Sequence, residues 1–478
     1  MTMKNHSRFG MAALLCLLLS LIPSRMMADQ LVTYPLAKGA PVKHDFLVEV
    51  RQGDGKWKQV STYAWPVDET QNGRHHVDTT SVASFDFTGS VDVKVTSLRT
   101  DVDSFTIRPL SYGIQATRNG RSVFFTLDRS RYLSVEVNGD RTHNLQIFAN
   151  PVIEPVKKGR DIVTFKPGYY DLGKDSVALK SGQTLYIPGG VFIKGFVTVD
   201  NATDVRIIGT GIVNPLRRHE GILIRRSRNV EVNGPLTTQI PCGQSDSVMI
   251  SNAKVISWYG WGDGMNVFAS RHVSYNHVFC RTSDDCSTIY CTRLGYNGSS
   301  TDIHVNDAVY WADVAHPIMI GLHGNIERNE EVTRVCYENI DILRQKEMQL
   351  DYEGCIAIND GDNILCHGLT FRNIHVEDLE DGMLVNFRVC YNKKYCHAPG
   401  RGIEDITIEN LDYRGRQPNL SLITGYSEDR TAKDILFRNL TINGLRISDT
   451  MKGKPGWYKT ADFARIFLGE HVSDVRFE

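Results

Sequence analysis

Long hydrophobic runs are scarce in this 478-residue chain: Met11–Ile22 is too short to span a bilayer comfortably, and no other stretch is long and apolar enough to cross one. Charge of one sign is missing too. A net charge of −1 leaves neither the basic excess that nucleic acid calls for nor the acidic tail of a disordered partner arm. Proline is sparse, 16 residues against 40 glycines, which suits a β-rich chain with many tight turns. Extended helical patterning is nearly absent, which argues against an α/β barrel. No CxxC pair occurs, and no His/Cys group has the short spacing of a metal site, so neither metal nor cofactor is expected.

What is present describes a globular chain, 41% hydrophobic and 23% charged, long enough for two or more domains. Lys4 and Arg8 precede the apolar run, and Pro23 and Ala28 follow it. That is the order of a secretory signal, so residues 1–28 are expected to be removed and the protein exported, secreted or periplasmic. Of ten cysteines, Cys16 leaves with the signal. The other nine all follow residue 240, and an odd count leaves at least one unpaired. Most are expected to be small buried fillers, with Cys390–Cys396 the best disulfide candidate.

Residues 29–155 carry short β-prone runs separated by turns such as Asn119-Gly120 and Asn138-Gly139-Asp140, the texture of a β-sandwich. Asn150-Pro151 through Gly159 reads as a linker. Over 159–478 the pattern changes to degenerate repeats, among them Asn339-Ile-Asp-Ile, Asp405-Ile-Thr-Ile-Glu-Asn and Asp434-Ile-Leu-Phe-Arg-Asn. Each has β-branched residues at alternate positions, and asparagine often follows. A second short apolar run comes after each repeat. Two or three short strands per repeat, unevenly spaced by loops, predict a right-handed parallel β-helix packed against the sandwich.

Within it, Trp258–Cys291 stands apart. Asp263, Asp284 and Asp285 each lie next to glycine or another small residue, and 21 residues separate Asp263 from Asp284. One coil of that length stacks Asp263 beneath the pair at roughly 4.7–4.9 Å per strand layer. Crowded carboxylates raise one another's pKa and stabilise nothing, so such a cluster points to function. Trp258, Tyr259 and Trp261 make the approach to it aromatic.

This stretch resembles the pectinase-type glycoside hydrolases, the polygalacturonases of family 28 and the dextranases and isopullulanases of family 49. Gly262-Asp263-Gly264-Met265-Asn266 is similar to their first Asp-Gly motif, and Ser283-Asp284-Asp285-Cys286 to their Asp-Asp-Cys motif one coil later. Ala315-His316-Pro317-Ile318-Met319-Ile320-Gly321 resembles their histidine motif without its flanking glycines. A sandwich ahead of the helix is closer to family 49. The resemblance implies cleavage of an O-glycosidic bond in a polysaccharide or oligosaccharide, with inversion. Asp284 matches the general acid, and Asp263 and Asp285 match the pair that activates water.

His316 is the candidate to tune that cluster, with His323 behind it. Trp258, Trp261, Tyr290 and Trp311 are candidate sugar-stacking faces. Arg281 and Arg293 flank the acid pair. The Arg-x-Lys motif that holds a substrate carboxylate in polygalacturonases has no clean match. Arg344-Gln345-Lys346 has the residue types on another face, and the expected face runs from Gly354 to Asp360, which makes Asp360 a substrate-binding candidate. A galacturonic acid substrate is therefore not supported. Two other classes stay open: a lyase using calcium held by Asp284 and Asp285, and a carbohydrate-binding solenoid without catalysis.

Overall fold

The computed structural model describes residues 29–72 and 74–478, so the signal-like segment 1–28 lies outside the described residues. Two sheets form the N-terminal sandwich. One holds Gln30–Val32, Thr62–Gln71, Arg74–Thr88, Phe105–Arg108, Arg131–Val137 and Asp140–Pro151. The other orders Lys58–Val60, Phe46–Arg51, Val91–Ser97, Ser122–Leu127 and Ala116–Asn119. Alternation along Phe46–Arg51 and Val91–Ser97 turns Phe46, Val48, Val50, Val91, Val93 and Val95 inward, against Phe85, Leu133, Val135 and Ile147 of the other sheet.

From Ile162–Thr164 to Val472–Phe477 the chain forms one 29-stranded sheet wound into a right-handed parallel β-helix. Among its strand-to-strand pairings, only Leu440–Ile442 with Leu445–Ile447 is antiparallel. Aliphatic side chains at alternate positions fill the coil interior, and stacked coils bury them continuously: Val267, Ile289, Ile320, Ile358 and Phe387 succeed one another in register. The recurrent asparagines form a ladder up one corner. Asn306 donates to Asn276, Asn339 to Asn306, Asn373 to Asn339, Asn410 to Asn373 and Asn439 to Asn410, at 2.7–2.9 Å. Asn339, Asn373, Asn410 and Asn439 sit at φ between 55° and 58°, a left-handed conformation that asparagine tolerates at a turn.

One face of the helix docks on the sandwich through two stripes. Ile212, Leu236, Lys254, Phe279, Val309 and Asp341 occupy successive coils in register. Beside them run Ile256, Arg281, Trp311 and Arg344. The apolar members pack with Tyr63, Trp65, Val67, Tyr132 and Phe148 of the sandwich. The polar members are paired. Lys254 Nζ donates to Asn150 Oδ1 (2.8 Å) and two carbonyls, and Asp313 accepts from Arg281 (2.7 Å), Arg344 and Trp311.

Of the nine cysteines among the described residues, eight are buried and Cys336 is half-exposed. Cys390 and Cys396 are hydrogen-bonded neighbours, but both are free thiols, so the disulfide expected between them is not formed here.

Candidate active site

Glycine makes the aspartate turns stackable. A Cβ at Gly262 would lie 2.2 Å from Ser283 Oγ and 2.5 Å from the Tyr259 carbonyl, and one at Gly264 would lie 2.4 Å from the Cys286 carbonyl. The next coil presses directly on this turn, so only glycine fits on either side of Asp263.

Register then fixes the carboxylates. Met265, Ser287 and Ile318 pair on successive coils, which puts Asp263, Asp285 and His316 in one column, each two residues before its strand. Backbone hydrogen bonds tie the column together, Gly264 N to Asp285 O at 2.7 Å and Cys286 N to His316 O at 2.8 Å. The coil is 22 residues by this pairing, so Asp285 rather than Asp284 stacks on Asp263, and Asp284 sits one position earlier.

Three donors converge on Asp285, which suits a carboxylate. Oδ1 accepts from the His316 backbone N–H (3.1 Å) and Nδ1 (2.6 Å), and Oδ2 accepts from the Tyr290 hydroxyl (3.1 Å). His316 Nε2 meets the Tyr352 carbonyl, an acceptor only. With an acceptor at each ring nitrogen, the ring suits the imidazolium form. Burial alone would lower the His316 pKa, and the Asp285 charge and hydrogen bond reverse this, so it is raised overall.

Burial and then the Asp285 charge push Asp263 up to about 7, against the hydrogen bond from Asn266 Nδ2 (2.7 Å). Asp284 is held well above the usual carboxylate range by burial, by Asp263 and Asp285, and to a smaller extent by Glu347. The site thus holds one well-donated carboxylate beside two carboxyl groups with strong reason to keep protons.

The other sequence candidates divide. Tyr290 and His323 border the cluster, ring edge against ring face at 5.0 Å, with His323 lowered to about 2 by burial and Arg293. Trp258 is half-buried, and its Nε1 is buried without a partner. Trp261 is 77% exposed beneath the Arg218 guanidinium. Two expectations are corrected. Trp311 is 1% exposed: alternation along Ser300–Ala312 turns its ring into the sandwich interface, where Nε1 donates to Asp313. Asp360 is fully buried and ties coils together, accepting from the Gly402 N–H at 2.8 Å, so no solute reaches it. Arg281, Arg344 and Lys346 are likewise held in ion pairs, Arg281 with no exposure at all.

Sequence reading missed Tyr352 and Glu353. Ser287, Ile318 and Ile356 are in register, so Glu353 occupies the position of Asp284 two coils on. Glu353-Gly354-Cys355 repeats the offset of Asp284-Asp285-Cys286, a signal visible only once coils are aligned. Glu353 Oε2 accepts from Asn419 (2.9 Å), Oε1 is buried without a partner, and burial pushes the carboxyl up to about 7.

No family model and no curated protein matches the sequence. Among solved structures, Dex49A from Penicillium minioluteum superposes with a TM-score of 0.63 at 14% identity, over 91% of this chain and 96% of its own. The Yersinia enterocolitica family 28 exopolygalacturonase gives 0.49 at 12% identity, over 81% of this chain and 96% of its own. The hyperthermoactive exopolygalacturonase from Thermotoga maritima gives 0.43 at 16% identity, over 60% and 84%. The likeness to Dex49A spans more of this chain than the helix alone, and in fold the chain is a parallel β-helix of the pectinase type, preceded by a sandwich.

Proposed function

We propose that this chain is an exported glycoside hydrolase that cleaves an O-glycosidic bond of a neutral polysaccharide or oligosaccharide by direct attack of water, with inversion. Residues 159–478 act as the catalytic domain and 29–155 as its supporting sandwich. Asp284 protonates the leaving oxygen, and Asp285 activates the water, with Asp263 joining it as base once it ionises near pH 7. The observation that carries this reading is the protonation asymmetry. Asp285 receives three donors, two of them from His316, while its charge and burial favour the proton on Asp284. His316 has no exposed surface, so it acts as a positioning residue on Asp285.

Charge supports a neutral substrate. Asp263, Asp284, Asp285, Glu347 and Glu353 gather here; of the nearby cations Arg281, Arg344 and Lys346 are spent in ion pairs, and Arg293 lies 5.2 Å over the Tyr290 ring. A uronate would meet five acidic groups, against which stands the Arg293 guanidinium beside Asp263. The test is a reducing-end assay on matched panels of neutral and uronic glycans. Turnover of a neutral glycan with saturated products is expected. Preferential turnover of a uronan, or products carrying a double bond, would overturn the reading.

A further inference from the structure

On another part of the helix surface, the parallel strands Ser300–Ala312 and Glu331–Lys346 bring together residues that the sequence keeps a whole coil apart. His304 pairs with Cys336 in register, and Glu338 follows two residues later on the same face. A ring nitrogen of His304, Cys336 Sγ and a Glu338 carboxylate oxygen lie within 4.8 Å of one another. The spacing of His304 Nε2 to Glu338 Oε1 is 3.4 Å. A tetrahedral zinc ion with bonds of about 2.0–2.1 Å to nitrogen and oxygen sets such ligand atoms about 3.3 Å apart, so one edge of the tetrahedron is already in place.

The surroundings leave the three donors usable. Cys336 is the one cysteine of the nine that is not buried, which sets it apart from the core fillers. Glu338 Oε2 faces Arg372 at 3.5 Å, so Oε1 remains on the His304 side, and Arg372 is itself held by Glu409 at 2.9 Å. Both strands are paired on each side within the β-helix sheet, so the ligands stand on a rigid support.

We propose that His304, Cys336 and Glu338 form a binding site for a divalent cation of the zinc class, with three protein ligands and a fourth position open to solvent. On binding, a metal–sulfur bond forms and the thiol proton passes to solvent, so affinity rises with pH. The ion cross-links two adjacent coils without touching the aspartate cluster.

The test is titration of the full mature protein, kept reduced with a phosphine, with Co²⁺ as the spectroscopic probe. One equivalent should give a thiolate-to-cobalt charge-transfer band with visible absorption of tetrahedral type, and Zn²⁺ should displace it. Cys336→Ser should abolish the band, and His304→Ala should weaken binding at least about tenfold, the scale on which even supporting residues affect metal sites. Metal-free melting midpoints of both variants verify that they fold. Absence of a saturable band at one equivalent, or an unchanged band in Cys336→Ser, would overturn the proposal. Both outcomes are independent of any glycan activity.

Discussion

At the residue scale, Asp285 and His316 decide where the protons of the cluster sit. His316 bridges Asp285 and the Tyr352 carbonyl from a fully buried position, so its effect on substrate passes through Asp285. His316→Ala should lower kcat/KM by about tenfold to a hundredfold, less than the ~10²–10⁴-fold of losing a general acid or base. Removing a cation makes every neighbouring carboxyl harder to ionise, so the acid limb of the pH–rate profile should move to higher pH. An unchanged profile would reduce His316 to packing. Asp263 supplies a second test. Its folded pKa of about 7 lies above the ordinary carboxylate value, so the fold binds its proton more tightly than the unfolded chain does. That contribution is full below about pH 4 and lost as pH rises to about 7. Asp263→Asn, which cannot ionise, should therefore melt above the wild type at pH 8, and the gap should narrow towards pH 4. A gap independent of pH, measured by calorimetry, would contradict the assigned proton.

At the scale of the element, the unit is the coil. The glycines beside Asp263 exist because the following turn leaves no room for a Cβ. Gly264→Ala should cost about 1–3 kcal/mol by overpacking against backbone. It should also reduce activity more than that loss of stability implies, because Asp263 itself is displaced. Denaturant melts and kcat together check this. Coil length was readable to within one residue from the Asp263–Asp284 spacing, with Asp285 rather than Asp284 stacked on Asp263, and the asparagine pattern announced the ladder. The face of each strand was less legible. Arg281 looked like a cleft residue because it lies close in sequence to the acid pair, and Trp311 because an aromatic ring one coil on could stack a sugar. A single-residue step in register turns a side chain to another face, and both point into the sandwich. Asp360 failed for a related reason: the structure uses its carboxylate to hold the Gly402 N–H of the next coil. Glu353 was hidden because 69 residues and two loop insertions separate it from Asp284.

At the scale of the whole molecule, sandwich and helix share a core. The short strands and turns of residues 29–155 were enough to suggest a sandwich, but not the stripes that receive it, because a two-residue period does not say what covers the outer face of a coil. Trp65 is fully buried at this junction and donates to the Ile256 carbonyl at 2.9 Å. Trp65→Ala should cost about 3–5 kcal/mol. Residues 159–478 expressed alone should aggregate through exposed Ile256, Phe279, Val309 and Trp311, and co-expression with 29–155 should restore solubility; a monodisperse helix fragment in sizing chromatography would contradict this shared core. The central claim remains the chemistry of Asp284. The most direct measurement is hydrolysis of the preferred glycan by purified Asp284→Asn beside the wild type, with NMR following the first-formed anomer. The account predicts inversion by the wild type and a rate at least ~10²-fold lower in Asp284→Asn, with substrate still bound; a near-wild-type rate, or a retained anomeric configuration, would contradict it.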